Sequence, residues 1–150
     1  MIARGFVVSL ELRQKVLLFQ TTTALGLLFG LVAFSYNVWR LESTEHNSNV
    51  RTACFEILTE LAELEQLIYA AHYDGDAANG SPRTGWVKVG LIADLSMLTS
   101  PSAEAQASAL KQTWSATWNT YATDRGAVDK LVADIDAMRG RIKDVVRNLD

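Results

Sequence analysis

Two patterns of apolar residues run along this chain, and they call for two different surroundings. From Val16 to Trp39 the sequence VLLFQTTTALGLLFGLVAFSYNVW holds no charged side chain, whereas beyond Arg40 charged residues are interspersed and apolar residues form stripes at steps of three and four. An unbroken apolar run of this length forms a helix about 36 Å long, enough to cross roughly 30 Å of bilayer hydrocarbon. Its six Leu, three Phe and three Val favour insertion by roughly 4 to 7 kcal/mol before Gln20, Thr21 to Thr23, Ser35 and Asn37 are set against them. Tyr36 and Trp39 suit the headgroup layer at one edge, and Arg13 and Lys15 mark the other.

The second pattern predicts amphipathic helices. Cys54, Ile57, Leu61, Leu64, Ile68 and Ala71 share one face, with Glu56, Glu60, Glu63 and Glu65 largely off it. No Gly or Pro interrupts residues 40 to 46, so this helix can continue directly from the apolar run. Asp74 to Gly85, DGDAANGSPRTG, is rich in turn formers and breaks the pattern. Trp86, Val89, Ile92 or Ala93, and Met97 then predict a short helix ending near Thr99, and Ser100 or Ser102 caps the next, with Pro101 in its first turn. That third helix, about Ser102 to Ala122, places Ala103, Ala107, Leu110, Trp114, Thr117 and Tyr121 on one stripe with Trp118 beside it. After Asp124-Arg125-Gly126, the most regular helix carries Val128, Leu131, Ile135, Met138, Ile142, Val145 and Leu149. Short connectors make neighbouring helices antiparallel.

The expected fold is therefore all-α: a cytoplasmic segment 1–15, a single transmembrane helix 16–39, and an extracytoplasmic bundle of about four helices, 40–150, with antiparallel coiled-coil-like packing. Arg4, Arg13 and Lys15 before the span outweigh Arg40 and Arg51 after it, which predicts a cytoplasmic N-terminus and a periplasmic C-terminal domain at the inner membrane. The first fifteen residues carry a net +2 and the remainder −5. An acidic surface of this kind argues against nucleic acid as a partner. A cleaved signal peptide would need an apolar core of about 7–15 residues, well below what is present. The start Arg4-Gly5-Phe6 with Glu11 is similar to a type IV prepilin junction, but Glu11 falls one residue late and Arg13 and Lys15 interrupt the apolar helix.

Chemistry is sparse. His46 and His72 have no second ligand at helical spacing, Cys54 is the sole cysteine, and the Asp74-Gly75-Asp76 loop lacks the later ligands of a calcium site. No phosphate loop, nucleophile elbow or HExxH occurs. The sequence thus predicts neither an enzyme nor a cofactor. Thr22, Gly26 and Gly30 put small groups on one line of the span, a candidate packing face toward another helix. Tyr69, Tyr73, Trp86, Trp114, Trp118 and Tyr121 fall near helix ends around the long loop; they are candidates for core packing, for a partner contact or for a ligand pocket.

An N-in anchor followed by a helical ectodomain resembles in architecture the ligand-binding half of bacterial chemoreceptors and sensor kinases, although no second apolar run follows here. That resemblance implies a solute-sensing role as one alternative. The residues themselves favour a non-enzymatic membrane-anchored scaffold or accessory subunit, whose partners are the lipid bilayer and either itself or another envelope protein. A phage-type lysis regulator or an envelope immunity protein shares the same layout.

Overall fold

The computed structural model describes residues 2–149, and the side chains of residue 13 and residues 15–149. Arg4 and the Arg4-Gly5-Phe6/Glu11 start have side chains outside that described set, as does the terminal Asp150. The described chain is all-helical, with no strand: α1 is Ile2–His72, α2 Pro82–Ser96, α3 Pro101–Thr117 and α4 Arg125–Arg147. It divides into two compact units, Met1–Glu45 and His46–Asp150.

In the first unit, one helix is long and apolar enough to cross a membrane. Its large side chains are exposed throughout, Phe29 to 72%. The three threonines and Asn37 of this segment bond back to their own helix: Thr21 Oγ1 donates to the Leu18 carbonyl at 3.0 Å, Thr22 Oγ1 to Leu18 at 2.8 Å, Thr23 Oγ1 to Phe19 at 2.8 Å, and Asn37 Nδ2 to Ala33 at 3.0 Å. Such back-bonding satisfies a hydroxyl or amide without water.

The second unit is a bundle of four helices. Its single apolar cluster draws Val50, Cys54, Ile57, Leu61, Leu64 and Ile68 from α1, Val89 and Ile92 from α2, Ala103, Ala107, Leu110 and Trp114 from α3, and Val128, Leu131, Ile135, Met138 and Ile142 from α4. The periodicities of α1, α3 and α4 therefore mark the faces that are buried. Local chemistry sets the boundaries. The Ser100 hydroxyl accepts from the Ala103 N–H at 3.2 Å with Pro101 opening α3, and the Asp124 carboxylate accepts from the Gly126 N–H at 2.8 Å ahead of α4.

Two expectations need correction. The buried stripe of α2 is Gly85, Val89, Ile92 and Ser96, one residue before the Trp86-to-Met97 line, and both Trp86 and Met97 are exposed. The cause is Trp114, whose indole occupies the space over residue 85; a Cβ there would stand 2.1 Å from its ring, so only glycine admits it. Helix α3 also stops at Thr117 instead of reaching Ala122. Residues 118–123 fold into tight turns closed by Thr120 N–H to Thr117 O at 2.9 Å and Thr123 N–H to Thr120 O at 2.9 Å. In Thr117-Trp118-Asn119-Thr120 the hydroxyls and amide compete for backbone groups, which weakens the helix.

Candidate functional site

The loop end of the bundle is built by the α1–α2 connector, residues 73–81, and the α3–α4 connector, residues 118–124. Asp76 organises the first connector. Its carboxylate accepts from the N–H of Ala78 at 2.9 Å and of Asn79 at 3.1 Å, and from Asn79 Nδ2 at 2.6 Å. Those bonds, the backbone one from Asn79 foremost, hold the Asp76 carboxyl below its ordinary pKa. Turn chemistry thus accounts for the acidic loop. Gly80 lies with its Cα so close to Ala71 that a Cβ would come within 2.5 Å of the alanine methyl.

Tyr121 ties the two connectors together. Its ring is buried 5.2 Å from that of Trp114, and its hydroxyl donates to the Gly80 carbonyl at 2.6 Å. His72 Nδ1 stands 3.1 Å from the Tyr121 carbonyl oxygen, a distance that suits the tautomer carrying its proton there. Burial pushes the Tyr121 phenol above its usual pKa. The indole Nε1 of Trp114 is buried without a hydrogen-bond partner among the described residues.

The six aromatic candidates consequently separate. Trp114 and Tyr121 are core residues; Trp86, Trp118 and Tyr73 stand at the surface. Tyr69 alone lines the principal groove of this end. Its hydroxyl donates to Glu65 Oε1 at 2.8 Å, and that bond raises its pKa. Tyr73 packs against it with ring centres 5.6 Å apart and meets His72 edge-on at 4.7 Å.

The groove, of about 660 Å³, lies along α1 and α2, with Glu63, Glu65, Gln66, Asp74, Asp76 and Lys88 among its polar lining. Lys88 spans it, donating to Glu60 at 3.1 Å and closely to Glu63. Across the bundle Arg139 pairs with Glu65 at 2.5 Å and with Asp136 at 3.1 Å. Desolvation opposes the charged form of both cations, but their carboxylate hydrogen bonds prevail and raise the pKa of each. The sequence places these glutamates largely off the apolar face of α1 and carries no sign of the pairs. Lys88 sits 25 residues from Glu63, and Arg139 74 residues from Glu65, so only the topology brings them together.

The chain matches no protein-family model, no curated protein and no solved structure.

Among the described residues, no three His, Cys, Asp or Glu side chains gather closely enough to hold a metal ion. Cys54 is fully buried, and desolvation raises its thiol pKa, which keeps it in the unreactive protonated form. In the apolar segment, Gly26 and Gly30 have no neighbour within 4 Å, and Thr22 Oγ1 is engaged by its own helix. That line of small residues is open.

Proposed function

We propose that residues 16–39 anchor this chain in the cell inner membrane as a single pass, N-terminus in the cytoplasm, and that the bundle, with its consecutive helices antiparallel, stands in the periplasm. There it acts without catalysis, as a scaffold or accessory subunit that binds another envelope protein or a second copy of itself. One observation carries the reading: the apolar segment of α1 exposes its large side chains on every face while its threonines and Asn37 satisfy themselves internally. A surface like that is stable in lipid and aggregates in water. The line Thr22, Gly26 and Gly30 would let another membrane helix approach closely.

Two measurements test it. A reporter fused after Asp150 should be active only outside the cytosol; cytosolic activity overturns the topology. Crosslinking in the native membrane should trap a defined partner or a dimer, and monomer alone overturns the interaction role.

The groove lined by Tyr69 and Lys88 supports a second reading, a ligand-sensing ectodomain. A small metabolite that raises the bundle's melting temperature in proportion to the logarithm of its concentration would favour sensing over scaffolding.

A further inference from the structure

We propose that a second copy of this chain covers the outward face of α1 in the bundle, the two helices lying parallel and in register. The proposal deepens the interaction reading above and rests on it. Within the bundle, α1 carries two seams. Cys54, Ile57, Leu61, Leu64 and Ile68 form the one that is buried in the core. Thr52, Phe55, Thr59, Ala62 and Gln66 repeat steps of three and four on the other side, and all five are exposed, Phe55 by 56%. Helices pair through seams of that spacing.

The outer side of a helix in a solvated bundle is ordinarily its charged side. Here the charges stand beside the seam and not on it. Glu63 pairs with Lys88 of α2, and Glu65 pairs with Arg139 of α4. These glutamates are two residues apart, about 200° around the helix, so α2 and α4 flank α1 on opposite sides and leave the seam open between them. Its hydroxyls have partners without water. Thr52 Oγ1 donates to the Ser48 carbonyl at 3.0 Å, and Thr59 Oγ1 to the Phe55 carbonyl at 3.1 Å.

Charge identifies the occupant. With Thr52, Thr59 and Gln66 at the a positions of a heptad and Phe55 and Ala62 at d, position e holds Glu56 and Glu63, and position g holds Arg51, Leu58 and Glu65. In a parallel pair each g residue meets the e residue of the partner's next heptad. Arg51 then meets Glu56 of the second copy, twice by symmetry, while Leu58 meets Glu63 and Glu65 meets Ala70, so no like charges oppose. An antiparallel pair sets e against e, glutamate against glutamate. Glu63 and Glu65 are already paired inside the bundle, whereas Arg51 and Glu56 are exposed and have no ion-pair partner among the described residues. The outward line of α3, Ala105, Ser108 and Gln112, is also uncharged but offers no large side chain to fill a partner's holes.

The test uses the full chain in isolated membranes, on a Cys54→Ala background, with Thr52→Cys, Gln66→Cys, Val87→Cys, Gln112→Cys or Gly26→Cys and a membrane-permeant oxidant. Thr52→Cys and Gln66→Cys should each give a disulfide dimer, and Val87→Cys and Gln112→Cys should not. Positions 52 and 66 lie about 21 Å apart along the helix, so both couple to themselves only in a parallel pair in register. Arg51→Glu or Glu56→Arg should each weaken coupling at 52 at least about fivefold, and the two together should restore it. Coupling of 52 to 66 in a mixture, with neither coupling alone, shows an antiparallel pair and overturns the proposal. A double reversal that restores nothing overturns it too. Dimers through Val87→Cys or Gly26→Cys, with none at 52 or 66, overturn this face and spare the interaction role. An adduct of 52 with a different protein overturns the second copy as occupant and likewise spares that role. Monomer at every position, with no adduct, overturns both.

Discussion

Residues 16–39 and residues 50–71 lie in the same helix and are both rich in leucine, yet they are built to opposite rules. In the first, apolar side chains point in all directions and none is buried. In the second, Cys54, Ile57, Leu61, Leu64 and Ile68 are fully buried, while Arg51, Phe55, Glu56 and Thr59 face out. A helix apolar all round takes its solvent from outside; a helix apolar on one stripe makes its solvent from three other helices. Mean hydropathy marks the first, and the angular distribution of apolar residues marks the second.

A charge placed in each region breaks the comparison most forcefully. Leu61→Arg puts an unpartnered cation into the centre of the bundle, at a cost of at least about 3–5 kcal/mol, a large part of the roughly 5–15 kcal/mol that stabilises a domain. We expect loss of cooperative melting by circular dichroism, with the protein still sedimenting with membranes. Leu28→Arg should do the converse. It removes about 3–4 kcal/mol of insertion free energy, so the membrane fraction should fall while whatever chain is recovered in detergent melts as the parent does. Parallel loss of both properties in either variant would show that the two regions are one cooperative unit.

Glycines sharpen the contrast at the next level of energy. Gly85→Ala drives a methyl into the Trp114 indole, which is packed on all sides and cannot swing away. Overpacking of this kind costs about 1–3 kcal/mol, seen as a lower denaturant midpoint with an unchanged slope. Gly26→Ala meets nothing within 4 Å and should leave the bundle unaffected. If Gly26→Ala instead abolishes a crosslinked dimer, the line Thr22, Gly26 and Gly30 is a true packing face.

Much of this organisation is legible in the residues, and what is not has a physical cause. The stripes of α1, α3 and α4 follow from period alone, because each helix offers one apolar face. Helix α2 deceived, because Trp86 and Met97 are the large apolar residues while Gly85 and Ser96 are the buried ones. Size pointed outward; the room left by Trp114 decided. The aromatic set is mixed: helical spacing put Trp114 and Tyr121 on the stripe of α3 and both fill the core, whereas it gave no way to tell that Tyr69 borders a groove or that Trp86, Trp118 and Tyr73 meet water. The Lys88 and Arg139 pairs were hidden because their partners are set by which helices adjoin, a tertiary fact with no local signature.

Tyr121→Phe isolates one link at the loop end. The phenol bridges to Gly80 O across 41 residues of chain, and its removal leaves that carbonyl without this bond. The loss should be about 1 kcal/mol, and hydrogen exchange should quicken around Gly80 more than around Leu61. Equal acceleration everywhere would mean that the two connectors open only with the whole bundle.

The smallest effect is one of pH. Cys54, Tyr69, Tyr121 and Lys88 all have raised pKa values in the folded bundle. A group whose folded pKa exceeds its unfolded one holds its proton longer in the native state, so its contribution is complete below the unfolded value and is lost as pH climbs through the folded one. The melting temperature should therefore be level from neutral pH to about pH 9 and decline above it. Asp76 has the opposite sign: its depressed pKa contributes above the ordinary carboxylate value and is lost as pH falls through the folded one, a weak acid limb confined to an exposed loop. Tyr121→Phe should shallow the alkaline decline. Residues 16–39 contain no Asp, Glu, Lys, Arg, His or Cys and a single phenol, Tyr36, near the segment's end, so the proposed hold on lipid should not follow this titration. An alkaline wash should leave the chain in the membrane pellet while the near-ultraviolet signal of Trp114 and Tyr121 fades. Release into the supernatant along the same pH curve would show that the bundle, and not the apolar helix, is what holds the chain to the membrane.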